Sequence, residues 1–285
     1  MTIQWFPGHM NKAKRAIKEL VPDIDIVIEL LDARAPFASM NPLIQSLIKN
    51  KRKIRLLNKS DLADKNTTRL WLEYFKGQSN TLAITGCRDD KAQRAQIITH
   101  CKKMVPERNS FEKPLRVMIT GIPNVGKSTL INQLINKKSA KTGDIPAVTK
   151  ANQCLTIADD FLVYDTPGMM WERIEHQNTG FNLALCNSIG RNALDIELLA
   201  HYLLEYMPKH YPDQLINRYK LSAEEITNNA DEILNIIGKK RGAIGSGGII
   251  DIEKTSNIII QDFRDGKIGN ISLETPELWK EWLSK

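Results

Sequence analysis

The sequence predicts an α/β protein, a mainly parallel, doubly wound sheet of the P-loop kind followed by an all-helical C-terminal domain. Three observations carry that prediction. Short apolar runs alternate with longer helical patterns through the first two thirds of the 285 residues, as strands joined by crossover helices do. One such run leads directly into Gly121-Ile122-Pro123-Asn124-Val125-Gly126-Lys127-Ser128, a G-x-x-x-x-G-K-S turn that opens a helical pattern. Beyond about Gln177 the strand-like runs stop and apolar residues recur at helical spacing.

Taken in order, strands are expected over residues 24–31, 54–57, 82–85, 115–120, 153–157 and 161–164. Asn41-Pro42 suits the start of a helix running toward Lys49, because proline is tolerated in a first helical turn, and residues 127–136 suit a helix after the glycine-rich turn. In the tail, Leu194, Leu198, Tyr202 and Tyr206 recur at i, i+4. Ser222-Ala223-Glu224-Glu225 reads as a capping box opening a helix that Gly238 closes. Residues 242–248 are rich in glycine but follow no strand, so they read as a turn or linker rather than a phosphate site. A last helix carrying Ile252, Ile259, Ile260 and Phe263 should end at Gly266. The division expected is 1–176 for the sheet domain and 177–285 for the helical one.

Composition narrows the class. Hydrophobic residues make up 42% and charged residues 26%, the balance of a globular chain rather than a disordered one. Lys and Arg outnumber Asp and Glu by 40 to 33, a formal +7 that suits a polyanionic partner. Residues 1–10 lack the basic and apolar regions of a secretory signal, and no apolar run approaches the roughly 20 residues of a membrane span. Cys87, Cys101, Cys154 and Cys186 form no Cys-x-x-Cys pair, which disfavours zinc and fits reduced thiols in the cytoplasm.

Three motifs carry chemistry. In the glycine-rich turn, backbone amides and the helix N-terminus face phosphate oxygens, Lys127 reaches the β- and γ-phosphates, and Ser128 can ligate Mg²⁺; Asn124, Val125, Gly126 and Thr129 complete the expected lining. Asp165-Thr166-Pro167-Gly168 follows an apolar run, placing a carboxylate for Mg²⁺ and a Gly168 amide for the γ-phosphate. Asn58-Lys59-Ser60-Asp61 suits guanine, because the Asp61 carboxylate accepts both the ring N–H and the exocyclic amine, while Asn58 and the Lys59 stem shape the pocket. Thr85-Gly86 would follow the next strand and offer a backbone amide to the guanine oxygen.

In common GTPases the phosphate loop comes first and the N-K-x-D motif last; here Asn58 precedes Gly121, the mark of a circular permutation of a P-loop GTPase sheet. This order, with Trp5-Phe6-Pro7-Gly8-His9-Met10 and Asp32-Ala33-Arg34-Ala35-Pro36, resembles the circularly permuted bacterial ribosome biogenesis GTPase A family (RbgA, YlqF) over essentially the whole chain. Two departures stand out: Ile145-Pro146-Ala147-Val148-Thr149 where relatives often carry Pro-Gly, and Thr85-Gly86 in place of Ser-Ala, a change of little consequence if a backbone group makes the contact.

The resemblance implies a GTP-hydrolysing factor that binds GTP and GDP, acts on the large (50S) ribosomal subunit precursor and its rRNA, leaves after hydrolysis, and is a monomer off the ribosome. Met169 stands where many GTPases carry a water-orienting glutamine. The family then offers His9 to position water, against a second role for His9 as a hydrogen-bonding group at the start of the fold. Thr149 is the candidate switch threonine for Mg²⁺ and the γ-phosphate. Asn124 resembles the asparagine that binds K⁺ in cation-activated GTPases, and also fits a simple turn former. Basic clusters at Lys49-Asn50-Lys51-Arg52-Lys53, Lys137-Lys138 and Lys239-Lys240-Arg241 favour RNA. The alternative is a GTP-driven protein switch unrelated to ribosomes.

Overall fold

The computed structural model describes residues 3–4, 8–135, 153–171, 173–190, 194–227 and 229–284. Its strands are β1 (Ile3–Gln4), β2 (Ile26–Asp32), β3 (Arg52–Asn58), β4 (Thr81–Thr85), β5 (Leu115–Gly121), β6 (Gln153–Ala158), β7 (Phe161–Asp165) and β8 (Arg173–Ile174). Six of them form one sheet in the order β4-β3-β2-β5-β7-β6. All its neighbours are parallel except β6, which turns back antiparallel onto β7. β1 pairs antiparallel with β8, Ile3 opposite Ile174.

The expected strands all form, with ends shifted by a residue or two. β2 reads Ile-Val-Ile-Glu-Leu-Leu-Asp and buries all seven residues, because a central parallel strand is covered on both faces. Each fully buried Ile or Leu of this kind stabilises the fold by about 1.5–3 kcal/mol. Glu29 is tolerated there because Arg55 is its register partner on β3, with Nε 3.4 Å from Oε2, and Gln45 also hydrogen-bonds the carboxylate.

Helices α1 (Gly8–Leu20), α2 (Pro42–Leu47), α3 (Lys65–Lys76), α4 (Gln93–Met104) and α5 (Lys127–Leu134) flank the sheet. α1 was not anticipated; Ala13 and Ile17 pack with Val21, Ile44, Ile48, Met118 and Met169, and the spacing of Ala13, Ile17 and Val21 is the signal that marks it. Asn41 caps α2, its side chain accepting from Leu43 N at 2.9 Å and Ile44 N at 3.4 Å. That helix stops at Leu47, short of Lys49, and α5 stops at Leu134, short of Asn136, which lies outside the described residues.

The C-terminal part is helical as expected: α6 (Gln177–Leu185), α7 (Ile196–His210), α8 (Pro212–Tyr219), α9 (Ala230–Lys240), α10 (Ile252–Arg264) and α11 (Pro276–Ser284). Three local expectations need correction. On α7 the buried stripe is Leu199, Ala200, Leu203, Leu204 and Met207, whereas Leu198 is exposed and Leu194 precedes the helix. Both capping-box bonds form, Ser222 N to Glu225 Oε2 at 2.8 Å and Glu225 N to Ser222 Oγ at 3.3 Å, but they close a turn that no helix continues. α9 starts instead after Asn229, whose side chain accepts from Asp231 N at 3.0 Å, and it runs through Gly238. A Cβ on Gly238 would come within 2.5 Å of Ile250 Cγ2 and 2.7 Å of Thr255 Oγ1, so this glycine permits a close approach rather than a stop. Residues 242–248 form a turn, with Ile244 bridged to Ile250. α10 ends just before Gly266 (φ +71°), as expected, but it is not the last helix.

After Gly266 the chain returns across the sheet domain. Asn270 Nδ2 donates to Asp61 O at 2.8 Å and Ala63 O at 3.1 Å, Ile271 N to Leu62 O at 3.1 Å, and Leu273 N to Arg34 O at 2.7 Å. Glu274, fully buried, accepts from the Phe37 and Ala38 amides and from Asn182 Nδ2 (3.2 Å), and its carbonyl takes Trp71 Nε1 at 3.0 Å. Trp279 on α11 stacks on Phe37 with centroids 3.5 Å apart. One apolar cluster accordingly runs from Ile28, Ile54 and Val117 in the sheet to Leu203, Ile233 and Ile260 in the helices.

Candidate nucleotide-binding site

Asn58, Gly121 and Asp165 are the final residues of β3, β5 and β7, so parallel strands deliver the three motifs to one carboxyl edge of the sheet, where α/β ligands bind. The phosphate loop is tight. A Cβ on Gly121 would meet Val125 Cγ1 at 2.8 Å and Leu30 O at 3.0 Å, and Gly126 holds φ +103°. Asn124 also takes a positive φ, +58°, and its Nδ2 donates to Asn187 O at 2.7 Å in the turn after α6. Ser128 and Thr129 lie exposed in the first turn of α5, beside the unpaired amides that make a helix N-terminus attractive to phosphate.

Lys127 Nζ sits 2.7 Å from Asp165 Oδ1, with both side chains about a tenth exposed. Thr166 Oγ1 donates to Ile119 O at 2.9 Å and anchors the second phosphate element, while a Cβ on exposed Gly168 would lie 3.4 Å from Pro123, so that turn passes directly over the phosphate loop. Met169 points away from the site into the cluster with α1 and α2, and Asn41 Nδ2 holds its carbonyl at 2.9 Å. Asn41 had no functional role in the sequence; only the fold brings it to this turn.

On the base side, Asn58 Nδ2 donates to Val125 O at 2.8 Å, fastening the guanine motif to the phosphate loop. Lys59 has φ +58° and places Nζ 2.8 Å from Asp32 Oδ2. Asp61 is exposed, and Ser60 Oγ donates to Gly86 O at 3.1 Å. Thr85 is exposed beside them. The Gly86 amide is engaged by Leu57 O at 2.9 Å, so it is not the amide this loop leaves open to a ligand. Glycine at this position is also consequential: a Cβ would fall 2.1 Å from Nε2 of Gln93 and 2.8 Å from Leu56 Cδ1. Gln93 is buried with neither polar side-chain atom hydrogen-bonded among the described residues, a neighbour no motif announced.

The donor set fits Mg²⁺. Among the described residues no group of three or more His, Cys, Asp and Glu could hold a metal by itself. Mg²⁺ in nucleotide sites needs only one or two protein oxygens plus phosphates and water, which Ser128 and Asp165 can supply. Thr149 lies outside the described residues, and for His9 only the backbone, the second residue of α1, is described.

Electrostatics are uneven. Burial alone would raise the Asp32 carboxyl, but the Arg34 and Lys59 cations outweigh it and hold the group well below the usual carboxylate range. Glu274 is pushed up to about 7 by burial, against hydrogen bonds that lower it. Of the basic clusters, Lys53 is buried, Lys51 Nζ bonds Pro22 O and Ile24 O, and Arg52 pairs with Glu107 at 3.0 Å, so that run is not a single cationic face. Lys49, Lys239, Lys240 and Arg241 are exposed, Lys240 being paired with Glu225 at 2.6 Å; Lys137 and Lys138 lie outside the described residues.

A family model described as a 50S ribosome-binding GTPase matches residues 116–242. The chain is 42% identical over 290 residues to the ribosome biogenesis GTPase A of Bacillus cereus, covering 99% of this chain and 96% of that protein. It is 31% identical to the protein of the same name from Thermotoga maritima, covering 96% and 95%. Among solved structures, the crystal structure of GNP-bound YlqF from T. maritima superposes with a TM-score of 0.65 at 28% identity, over 93% of this chain and 99% of that one.

Proposed function

The chain belongs to the ribosome biogenesis GTPase A family and is a GTP-hydrolysing enzyme built on a circularly permuted α/β domain, and from that premise we propose that it binds the maturing large ribosomal subunit in its GTP form and leaves after hydrolysis. Residues 1–176 are read as the GTPase domain and 177–285 as the helical unit that docks on the subunit and its rRNA. The observation that carries this reading is the Asn124 Nδ2 to Asn187 O bond at 2.7 Å, which joins the phosphate loop directly to the helical part. A γ-phosphate that reorders the loop therefore acts on the helices through a direct contact.

Within the site, Asp61 reads the guanine edge, Asn58 and Lys59 frame the base, and the loop beyond Thr85 and Gly86 faces the guanine oxygen. Asn124, Val125, Gly126, Lys127, Ser128 and Thr129 cradle the phosphates, and Lys127 exchanges its Asp165 partner for phosphate oxygens. Mg²⁺, when bound through Ser128, Thr149 and the Asp165 side, supplies positive charge to those oxygens. Gly168 reports the γ-phosphate. Asn124 has Oδ1 left for a K⁺ ion, since Nδ2 is engaged by Asn187. Because Met169 is buried, water positioning falls to another group, and His9 on α1 is the candidate. No described helix is long and apolar enough to cross a membrane, and we place the protein in the cytoplasm as a monomer when off the ribosome.

Cosedimentation with 50S precursor particles tests the reading. Association in a non-hydrolysable GTP analogue, weaker in GDP and sensitive to salt, is expected; nucleotide-independent behaviour would favour a protein switch acting elsewhere. Hydrolysis on those particles should fall at least about tenfold in His9→Ala, and should be faster in K⁺ than in Na⁺.

A further inference from the structure

Asp32 closes β2 in register with Asn58 on β3, so it stands beside the base motif without belonging to it. Its side chain is fully buried and every acceptor direction is used. Oδ1 accepts from Arg34 Nε at 3.0 Å and the Arg34 amide at 3.1 Å, while Oδ2 accepts from Arg34 Nη2 at 2.9 Å and Lys59 Nζ at 2.8 Å. Arg34 is itself held by the C-terminal part: its guanidinium lies 5.1 Å from the ring centroid of Phe263 on α10, and its carbonyl accepts from Leu273 N of the returning segment at 2.7 Å.

Lys59 is the one partly exposed member of this trio, with its side chain 23% accessible. A lysine with φ +58° and a four-carbon stem has many rotamers to lose on ordering, about 2 kcal/mol of side-chain entropy. A buried ion pair as such adds little stability over an apolar replacement, whereas it fixes geometry when its hydrogen bonds are complete.

We propose that Asp32 is a positioning residue for Lys59, holding the lysine stem in its base-framing geometry before guanine nucleotide arrives, and that Arg34 makes this geometry depend on the docked C-terminal segment. The proposal rests on the reading of residues 58–61 as the base site. The stem of Lys59 then meets the purine already ordered, and loss of the Asp32 charge returns the lysine to its free rotamers and weakens nucleotide binding.

The test is a double-mutant cycle on the full-length chain, read as GDP affinity by fluorescence titration with thermal stability recorded for every variant. Asp32→Asn should weaken GDP binding about tenfold, Lys59→Ala by a similar factor, and the double variant no more than about twofold beyond Lys59→Ala, because contacting residues that act as a unit are non-additive. A further tenfold loss from Asp32→Asn in the Lys59→Ala background, or an unchanged affinity for Asp32→Asn alone, overturns the positioning role. Wild-type affinity in Lys59→Ala overturns the base-site reading itself, a separate result. Should Asp32→Asn not fold because Arg34 is left unpaired, the neutral pair Asp32→Asn/Arg34→Met replaces it in the same cycle, with the same two outcomes.

Discussion

Asn58 and Val125 are 67 residues apart in sequence, yet the Asn58 side-chain amide donates to the Val125 carbonyl at 2.8 Å, so the proposed base and phosphate motifs form one hydrogen-bonded unit. Gly126, next to Val125, lies against the same amide: a Cβ there would fall 2.2 Å from Asn58 Nδ2 on a backbone with φ +103°. Gly126→Ala should therefore lower GTP affinity more than tenfold and destabilise the fold by about 1–3 kcal/mol. Isothermal titration with GTP, alongside thermal unfolding, checks both.

Asp61 is exposed, and in the proposed site its carboxylate accepts from the guanine N–H and exocyclic amine. Asp61→Asn presents an amide donor in place of one acceptor and so suits xanthine, which has a carbonyl where guanine has its amine. GTP binding should drop by two or more orders of magnitude, about 3 kcal/mol, while XTP binding rises. Competition between the two nucleotides measures it.

Lys127 and Asp165 pair at 2.7 Å. Lys127→Met removes the cation that meets the β- and γ-phosphates, and GTP hydrolysis should fall by at least about 10²-fold. Asp165→Asn should instead make GTP affinity nearly independent of Mg²⁺ concentration, measured with and without chelator.

Gly86 is explained by its neighbour. Gly86→Ala forces a methyl against the buried Gln93 side chain and should cost about 1–3 kcal/mol in chemical denaturation. Gln93→Ala removes the nearer of the two obstacles and leaves Leu56 Cδ1, so Gly86→Ala/Gln93→Ala should recover part of that loss. A double variant as unstable as the sum of the singles would show that the strain lies elsewhere.

Glu274 gives stability a pH dependence. Its carboxyl has an ordinary value of 4.5 and is raised by burial to about 7, so between these values the folded protein keeps a proton that the unfolded chain has released. Its contribution is complete below about pH 4.5, falls as pH rises toward 7, and is absent above that, by up to about 3 kcal/mol. Denaturant unfolding at pH 5, 6 and 7.5 should show this slope, and Glu274→Gln should flatten it.

The sheet strands were legible because buried parallel strands read as unbroken apolar runs, and the meeting of the three motifs at one sheet edge because each directly follows such a run. Local signals misled where bonds were satisfied without an element: the Ser222 and Glu225 bonds form around a bare turn. Of the periodic set at Leu194, Leu198, Tyr202 and Tyr206, the tyrosines flank the buried stripe of α7 and pack against the core, while Leu198 is exposed and Leu194 precedes the helix. Contacts across the fold were not legible at all. Nothing in sequence pairs Arg34 with Leu273, Asp61 with Asn270 or Gly86 with Gln93, since those meetings depend on where the tail and α4 pack.

The Phe37 and Ala38 amides find their acceptor in Glu274, more than 230 residues further along the chain. Because translation runs from the N-terminus, residues 37 and 38 emerge long before the segment that fastens them. During synthesis the acceptor for these amides and the indole that stacks on Phe37 arrive only with residues 274–279, so these contacts form once nearly the whole chain has been made.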